Sequence, residues 1–153
     1  RAHIGGHILR GMRKAGEPKK KARIGDTLPC GFCGRSGRAE CQVFMKPSSK
    51  KNEFQTKCQH QVTFQFKTAN ESTAKGACRN VPMICGLCPT AQRKNDFVPA
   101  VWRYNMPEHL RTHHSEYASP QNPEGLALPF AVWQSMEISM EEELGLGVHE
   151  FLI

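Results

Sequence analysis

Cys85-Gly86-Leu87-Cys88, followed after twenty intervening residues by His109-Leu110-Arg111-Thr112-His113-His114, is the stretch that decides the fold. Two thiols two residues apart suit a tight turn that grips one ion. Two imidazoles at His109 and His113 stand one helical turn apart on the same face. Together they make a tetrahedral zinc set, Cys85, Cys88, His109 and His113, with His114 as the nearest rival for the last place. The separation exceeds the roughly 12 residues of the commonest fingers, so an enlarged finger is expected. Asn105 and Glu108 have the spacing of a capping box, and Pro107 is tolerated in a first turn, so a helix carrying the histidines is expected. Ala100 to Tyr104 reads as a short strand before it, with Trp102 and Tyr104 on one face, shielding the metal.

A second set begins at Cys30-Gly31-Phe32-Cys33-Gly34, with Cys41, Cys58, His60 and Cys78 downstream. The preferred ligands are Cys30, Cys33, Cys58 and Cys78, with His60 in place of Cys78 as the runner-up. Cys41 alternates with Val43 and Met45 and reads as a buried strand cysteine, which lowers it as a ligand. One cysteine is expected to stay free and buried. Two Zn2+ ions follow. Seven cysteines, four of them in two Cys-x2-Cys pairs, without a secretory signal, fit a reducing compartment, nuclear or cytoplasmic, better than a disulfide framework.

Further along, Lys46 to Lys57 reads as a polar loop, Val62, Phe64 and Phe66 as one face of a strand, and Val81 to Ile84 as a short apolar lead into the Cys85 turn. Leu128 to Gln134 reads as a strand. Ser139 to Glu142 reads as a capping box opening a short helix that Gly145 and Gly147 stop. At the start, His3 and His7 repeat the His-x3-His spacing, as in the end of a finger whose cysteines would lie upstream. The chain opens on Arg1 and closes on Phe151-Leu152-Ile153, so a piece of a longer polypeptide is expected. The divisions are a helix over 1–14, a basic linker over 15–27, a two-site zinc domain over 28–118 and an acidic segment over 119–153. The fold class is small α+β, zinc-stabilised, with short strands and a ligand-bearing helix.

With 39% hydrophobic residues and only two Trp and two Tyr, the chain has little material for a large core, and metal is expected to make up the difference. No run approaches the roughly 20 apolar residues of a membrane span. Charge divides sharply: all 21 Lys and Arg lie in residues 1–114 against seven acids, a balance of +14, whereas residues 115–153 hold seven Glu and no Lys or Arg, a balance of −7. A basic zinc region is the footprint of a nucleic-acid binder, and the acidic segment suits a protein partner or competition with phosphate. Lys19, Lys20, Lys21, Arg23, Arg93, Lys94, Arg103 and Arg111 are the candidate phosphate contacts. No catalytic residues are assigned: a nuclease built on Asn105, His109 and the His113-His114 pair would need an open metal position and convergent carboxylates, and four closing ligands leave none.

On these residues, the 85–113 segment resembles BED-type and related C2H2 zinc fingers, in which an aromatic strand precedes a helix bearing a sequence like His109-Leu110-Arg111-Thr112-His113. More broadly, residues 2–120, with His-Ile-Gly-Gly-His, Cys-Gly-Phe-Cys-Gly-Arg-Ser-Gly and Val-Trp-Arg-Tyr-Asn, resemble a group of Cys/His-rich proteins of basidiomycete fungi. The BED-type resemblance implies DNA binding, as in chromatin-boundary factors and transposases. A zinc-scaffolded protein-interaction or chromatin module is the alternative.

Overall fold

A computed structural model describes residues 1–13, 24–47, 52–71, 76–88, 96–119 and 121–147. Its centre is a four-stranded antiparallel sheet of β1 (Val43–Met45), β2 (Phe54–Thr56), β3 (Pro82–Met83) and β4 (Val98–Trp102), in the order β2-β1-β4-β3. Val43 pairs with Thr56 on one side and Ala100 on the other, and Pro82 pairs with Trp102. The helices are α1 (Ala2–Met12), α2 (Phe66–Ala69), α3 (Met106–His113), α4 (Phe130–Met136) and α5 (Met140–Gly145).

The alternation of a strand gives β4 two different jobs. Ala100 and Trp102 pack with Val43 against the cluster holding Cys30 and Cys58, while Val101, one residue out of phase, packs with Met83 against the cluster of Cys85, Met106, Leu110 and Val132. One five-residue strand therefore backs both cysteine groups. A third cluster joins Ile8 and Leu9 of α1 to Cys78 and Tyr104.

Several sequence expectations are corrected. The strand expected over Ala100 to Tyr104 ends at Trp102; Arg103–Asn105 form a 3-10 turn, which rotates Tyr104 off the face of Trp102 and onto α1. The capping box does not form: Asn105 is already helical in φ and ψ, its Nδ2 donates to the Pro29 carbonyl at 2.9 Å, and Glu108 bonds Arg111 instead. Val62 to Lys67 is not a strand. The pairing edge of β1 is taken by Phe54–Thr56 from the stretch read as loop, and Phe64 stacks between Phe54 and Phe66 at centroid distances of 5.4 and 6.4 Å. Leu128 to Gln134 turns helical from Phe130 onward, because a short apolar run has no period of its own and Val132 alone is buried. The helix after Ser139 forms as expected, with Ser139 Oγ accepting from the Glu142 N–H at 3.2 Å. The acidic segment lies against the basic part of the chain, Val132 entering the Cys85 cluster and Glu142 fully buried.

Candidate metal centres

In the first group the Cys30–Cys33 turn is closed by Gly34 N–H to the Cys30 carbonyl at 2.7 Å, and the Phe32 N–H points to Cys30 Sγ at 3.4 Å. Gly34, at φ 77°, takes the left-handed conformation that lets the chain leave this turn. Gly31 is required for a different reason: a Cβ there would stand 2.4 Å from the Trp102 ring. Trp102 meets Phe32 edge to face at 4.9 Å, so the aromatic shield belongs to this group and not to the histidine group. Cys41 arrives from the 3-10 turn Ala39–Cys41, and Cys58 from just past β2.

The second group repeats the turn. Leu87 N–H points to Cys85 Sγ at 3.4 Å and Cys88 N–H to the Cys85 carbonyl at 3.3 Å. His109 comes from the first half of α3. His114 stands just past its end at φ −134° and ψ 52°, and this break from helical geometry turns its ring back toward the thiols.

The geometry can be tested against zinc. With Zn–S near 2.3 Å and Zn–N near 2.0–2.1 Å, a tetrahedron has S–S edges of about 3.8 Å and S–N edges of about 3.6 Å. Cys30 and Cys58 are 3.8 Å apart, and Cys33 and Cys41 are 3.6 Å apart. Cys85 Sγ lies 3.6 Å from His114 Nε2, and Cys88 Sγ lies 3.2 Å from His109 Nε2 and 3.3 Å from His114 Nε2. All ligand atoms of each group fall within 4.8 Å of one another, and all seven cysteines are free thiols. Donor type, number and spacing fit zinc at both places.

Three of these thiols, Cys30, Cys41 and Cys88, are held above the usual cysteine range. Burial pushes Cys30 up to about 11, against the pull of backbone N–H groups, and burial with Cys85 close by pushes Cys88 up to about 11. Cys41 is also raised, by burial first and then by its contact with Cys33. Cys33 goes the other way. Burial opposes its ionisation, but the Arg35 N–H and the neighbouring thiols donate to it and bring it below the usual range. His109 is held below its ordinary value by burial and by His113 and His114, which keeps it in the neutral form a metal needs.

Six of the eight proposed ligands are thus brought together: Cys30, Cys33, Cys58, Cys85, Cys88 and His109. Two are corrected. Cys78 is a core cysteine, packed under α1 so closely that a Cβ on Gly5 would lie 2.5 Å from its Sγ, and Cys41 takes the fourth place in the first group. The alternation from Cys41 to Met45 misled because β1 begins only at Val43, leaving Cys41 in a turn free to reach Cys33. His113 is exposed on α3, and His114 takes the fourth place in the second group. His60 is exposed beside Cys58 and belongs to neither. His3 and His7 stand with their Nε2 atoms 3.3 Å apart on α1.

Of the phosphate candidates, Lys19, Lys20, Lys21, Arg23, Arg93 and Lys94 lie outside the described residues. Arg111 is exposed and pairs with Glu108 one turn back. Arg103 is corrected from a surface cation to a buried one. It is 1% exposed, its Nη1 lies 3.2 Å from Glu142 Oε1, and its Nε donates to the Ser135 carbonyl at 3.0 Å. Glu142 also accepts from the Tyr104 hydroxyl and, at 3.0 Å, from the Arg79 N–H. Sequence reasoning missed this buried network, and nothing in the spacing of Arg103 and Glu142 announces it.

Fold and site together define a small α+β protein whose antiparallel sheet carries two Cys/His groups positioned to bind two zinc ions. No protein-family model, curated protein or solved structure matches this chain.

Proposed function

We propose that this chain is a nucleic-acid-binding module, with DNA the expected partner, in which both zinc ions are structural and no residue is catalytic. The observation that carries the reading is the charge division, +14 in residues 1–114 against −7 in residues 115–153, on a scaffold whose metal groups each offer four protein ligands. Four ligands close a tetrahedral site and leave no place for a reactive water. Arg35, Arg38 and Lys57 are exposed around the first cysteine group, and Arg111 and Thr112 are exposed on α3. A chain that keeps its zinc would present these cations on a fixed surface, where phosphate contact supplies affinity and position. A nuclear or other reducing intracellular location goes with that reading.

The test is fluorescence anisotropy with a duplex oligonucleotide across a salt series. Affinity should fall with a log-log slope of about 0.9 for each phosphate neutralised. A shallow slope sinks the electrostatic reading.

A second reading, a zinc-scaffolded protein-interaction module, is favoured by one observation: Phe130, Trp133, Met140 and Leu144 are exposed on α4 and α5, with Phe130 and Trp133 stacked at 6.1 Å. Such apolar exposure on an acidic segment suits a partner with an apolar, basic surface. Phe130→Ser with Trp133→Ser should leave DNA affinity unchanged on the first reading and abolish partner capture on the second.

A further inference from the structure

A cavity of about 360 Å³ opens between the end of β1, α2, the β3 strand and the 3-10 turn before α3. Lys46, Arg79 and Arg103 line it, and among its described lining residues none is acidic. Asn52, Asn70, Ser135 and Phe66 complete the polar and aromatic part of its wall. The three cations come from separate segments of the chain, so their convergence is a product of the fold and not of a local run.

Arg103 supplies the second, independent observation. Glu142 holds its Nη1 and the Ser135 carbonyl holds its Nε, but Nη2 is buried with no hydrogen-bond partner. A buried donor of this kind is expensive to leave unmatched, and more so when it carries charge. The guanidinium is thus fixed along two edges by the protein, and Arg103 forms part of the cavity wall with its third nitrogen buried and unmatched. An anion with several acceptor oxygens is the chemistry that meets a fixed arginine fork flanked by two further cations. The volume falls within the range of small-ligand sites, which admits more than a bare phosphate. Phe66, in the same wall, offers a ring face on which a base can stack, and the two amides offer hydrogen bonds to its edge.

We propose that this cavity binds the phosphate of a single nucleotide unit, with Arg103, Arg79 and Lys46 as its charge partners and Phe66 as its stacking surface. The unit is a free nucleotide or the phosphorylated end of a strand, which share this chemistry. The proposal stands on the cavity and its buried guanidinium, and it survives if the duplex-binding reading fails.

The test uses the zinc-loaded full chain in calorimetric titrations with AMP, adenosine and inorganic phosphate. AMP should bind and adenosine should not. Lys46→Met and Arg79→Met remove cations at half-buried positions and should each weaken AMP by roughly tenfold or more, since each deletes a charge-assisted contact. Phe66→Leu should weaken AMP and leave phosphate as it was. Zinc content and circular dichroism establish that each variant is folded. An oligonucleotide with a 5′-phosphate, binding more tightly than AMP and than its 5′-hydroxyl counterpart, assigns the site to strand ends; AMP binding as tightly assigns it to free nucleotides. AMP binding no better than adenosine, or unaltered in both cation variants, overturns the proposal. Phosphate binding as tightly as AMP overturns its nucleotide part. Duplex affinity measured on the same variants separates the two functions: loss of AMP binding with duplex binding intact marks the cavity as a distinct site.

Discussion

Replacing Cys41 and replacing Cys78 should have opposite consequences, although both are cysteines within reach of the first group in sequence. Cys41 Sγ stands 3.6 Å from Cys33 Sγ, inside a set of four thiols, whereas Cys78 is packed with Ile8, Leu9 and Tyr104. A structural zinc site binds with about 10–16 kcal/mol, so one ligand of four carries about 3 kcal/mol as a first approximation. Cys41→Ala should therefore weaken the first ion by roughly a hundredfold, at 1.4 kcal/mol per decade. Cys78→Ala removes one sulfur from a packed cluster and should cost about 1–2 kcal/mol of stability, with zinc affinity unchanged. Competition against a chromophoric chelator reads the affinity, and urea unfolding of the zinc-loaded protein reads the stability. Retention of the ion at full affinity in Cys41→Ala, with its loss in Cys78→Ala, would refute the ligand assignment and the geometric argument behind it.

Other consequences follow from the same geometry. His114→Ala should weaken the second ion by a similar factor while His113→Ala, at an exposed helical position, leaves its affinity unchanged; chelator competition on both variants decides. Glu142→Ala leaves Arg103 and the Tyr104 hydroxyl buried without their carboxylate and should destabilise the fold by about 3–5 kcal/mol in urea without changing zinc content. Zinc affinity should rise with pH, because Cys30, Cys41 and Cys88 are raised and must lose protons to bind. Each displaced proton contributes about tenfold per pH unit while the thiol remains protonated, so Cys30 and Cys41 give the first site at least about a hundredfold per unit near neutrality. His109, depressed in the fold, takes up its proton only below the ordinary histidine range. In the unfolded chain it protonates earlier, so its neutral form contributes stability above about pH 6.5 that is lost as pH falls toward the folded value. Titration of zinc retention against pH checks both signs.

Local chemistry made the metal groups legible from sequence. Each Cys-x2-Cys pair carries its own turn, and Cys30, Cys33, Cys85 and Cys88 form those turns with the same N–H to Sγ contact in both copies. His109 was legible because a helix fixes its direction. The two misplaced ligands share a cause: Cys41 and His114 each lie one or two residues beyond a regular element, where periodicity stops describing the side chain. Strand positions such as Phe54–Thr56 were hidden because a three-residue strand takes its identity from its partner β1, not from its own pattern. The Glu142–Arg103–Tyr104 network was illegible for a stronger reason. A glutamate in an acidic run reads as solvated, and only the packing of α5 against the 3-10 turn buries it.

The central claim is two zinc ions held by six sulfurs and two nitrogens. Elemental analysis of the purified chain, combined with zinc-edge X-ray absorption, tests it most directly. The account predicts two zinc ions per chain and an average shell of three sulfurs to one nitrogen at about 2.3 and 2.0 Å. A single ion, no retained zinc, or a shell containing water oxygen in place of a protein ligand would contradict it.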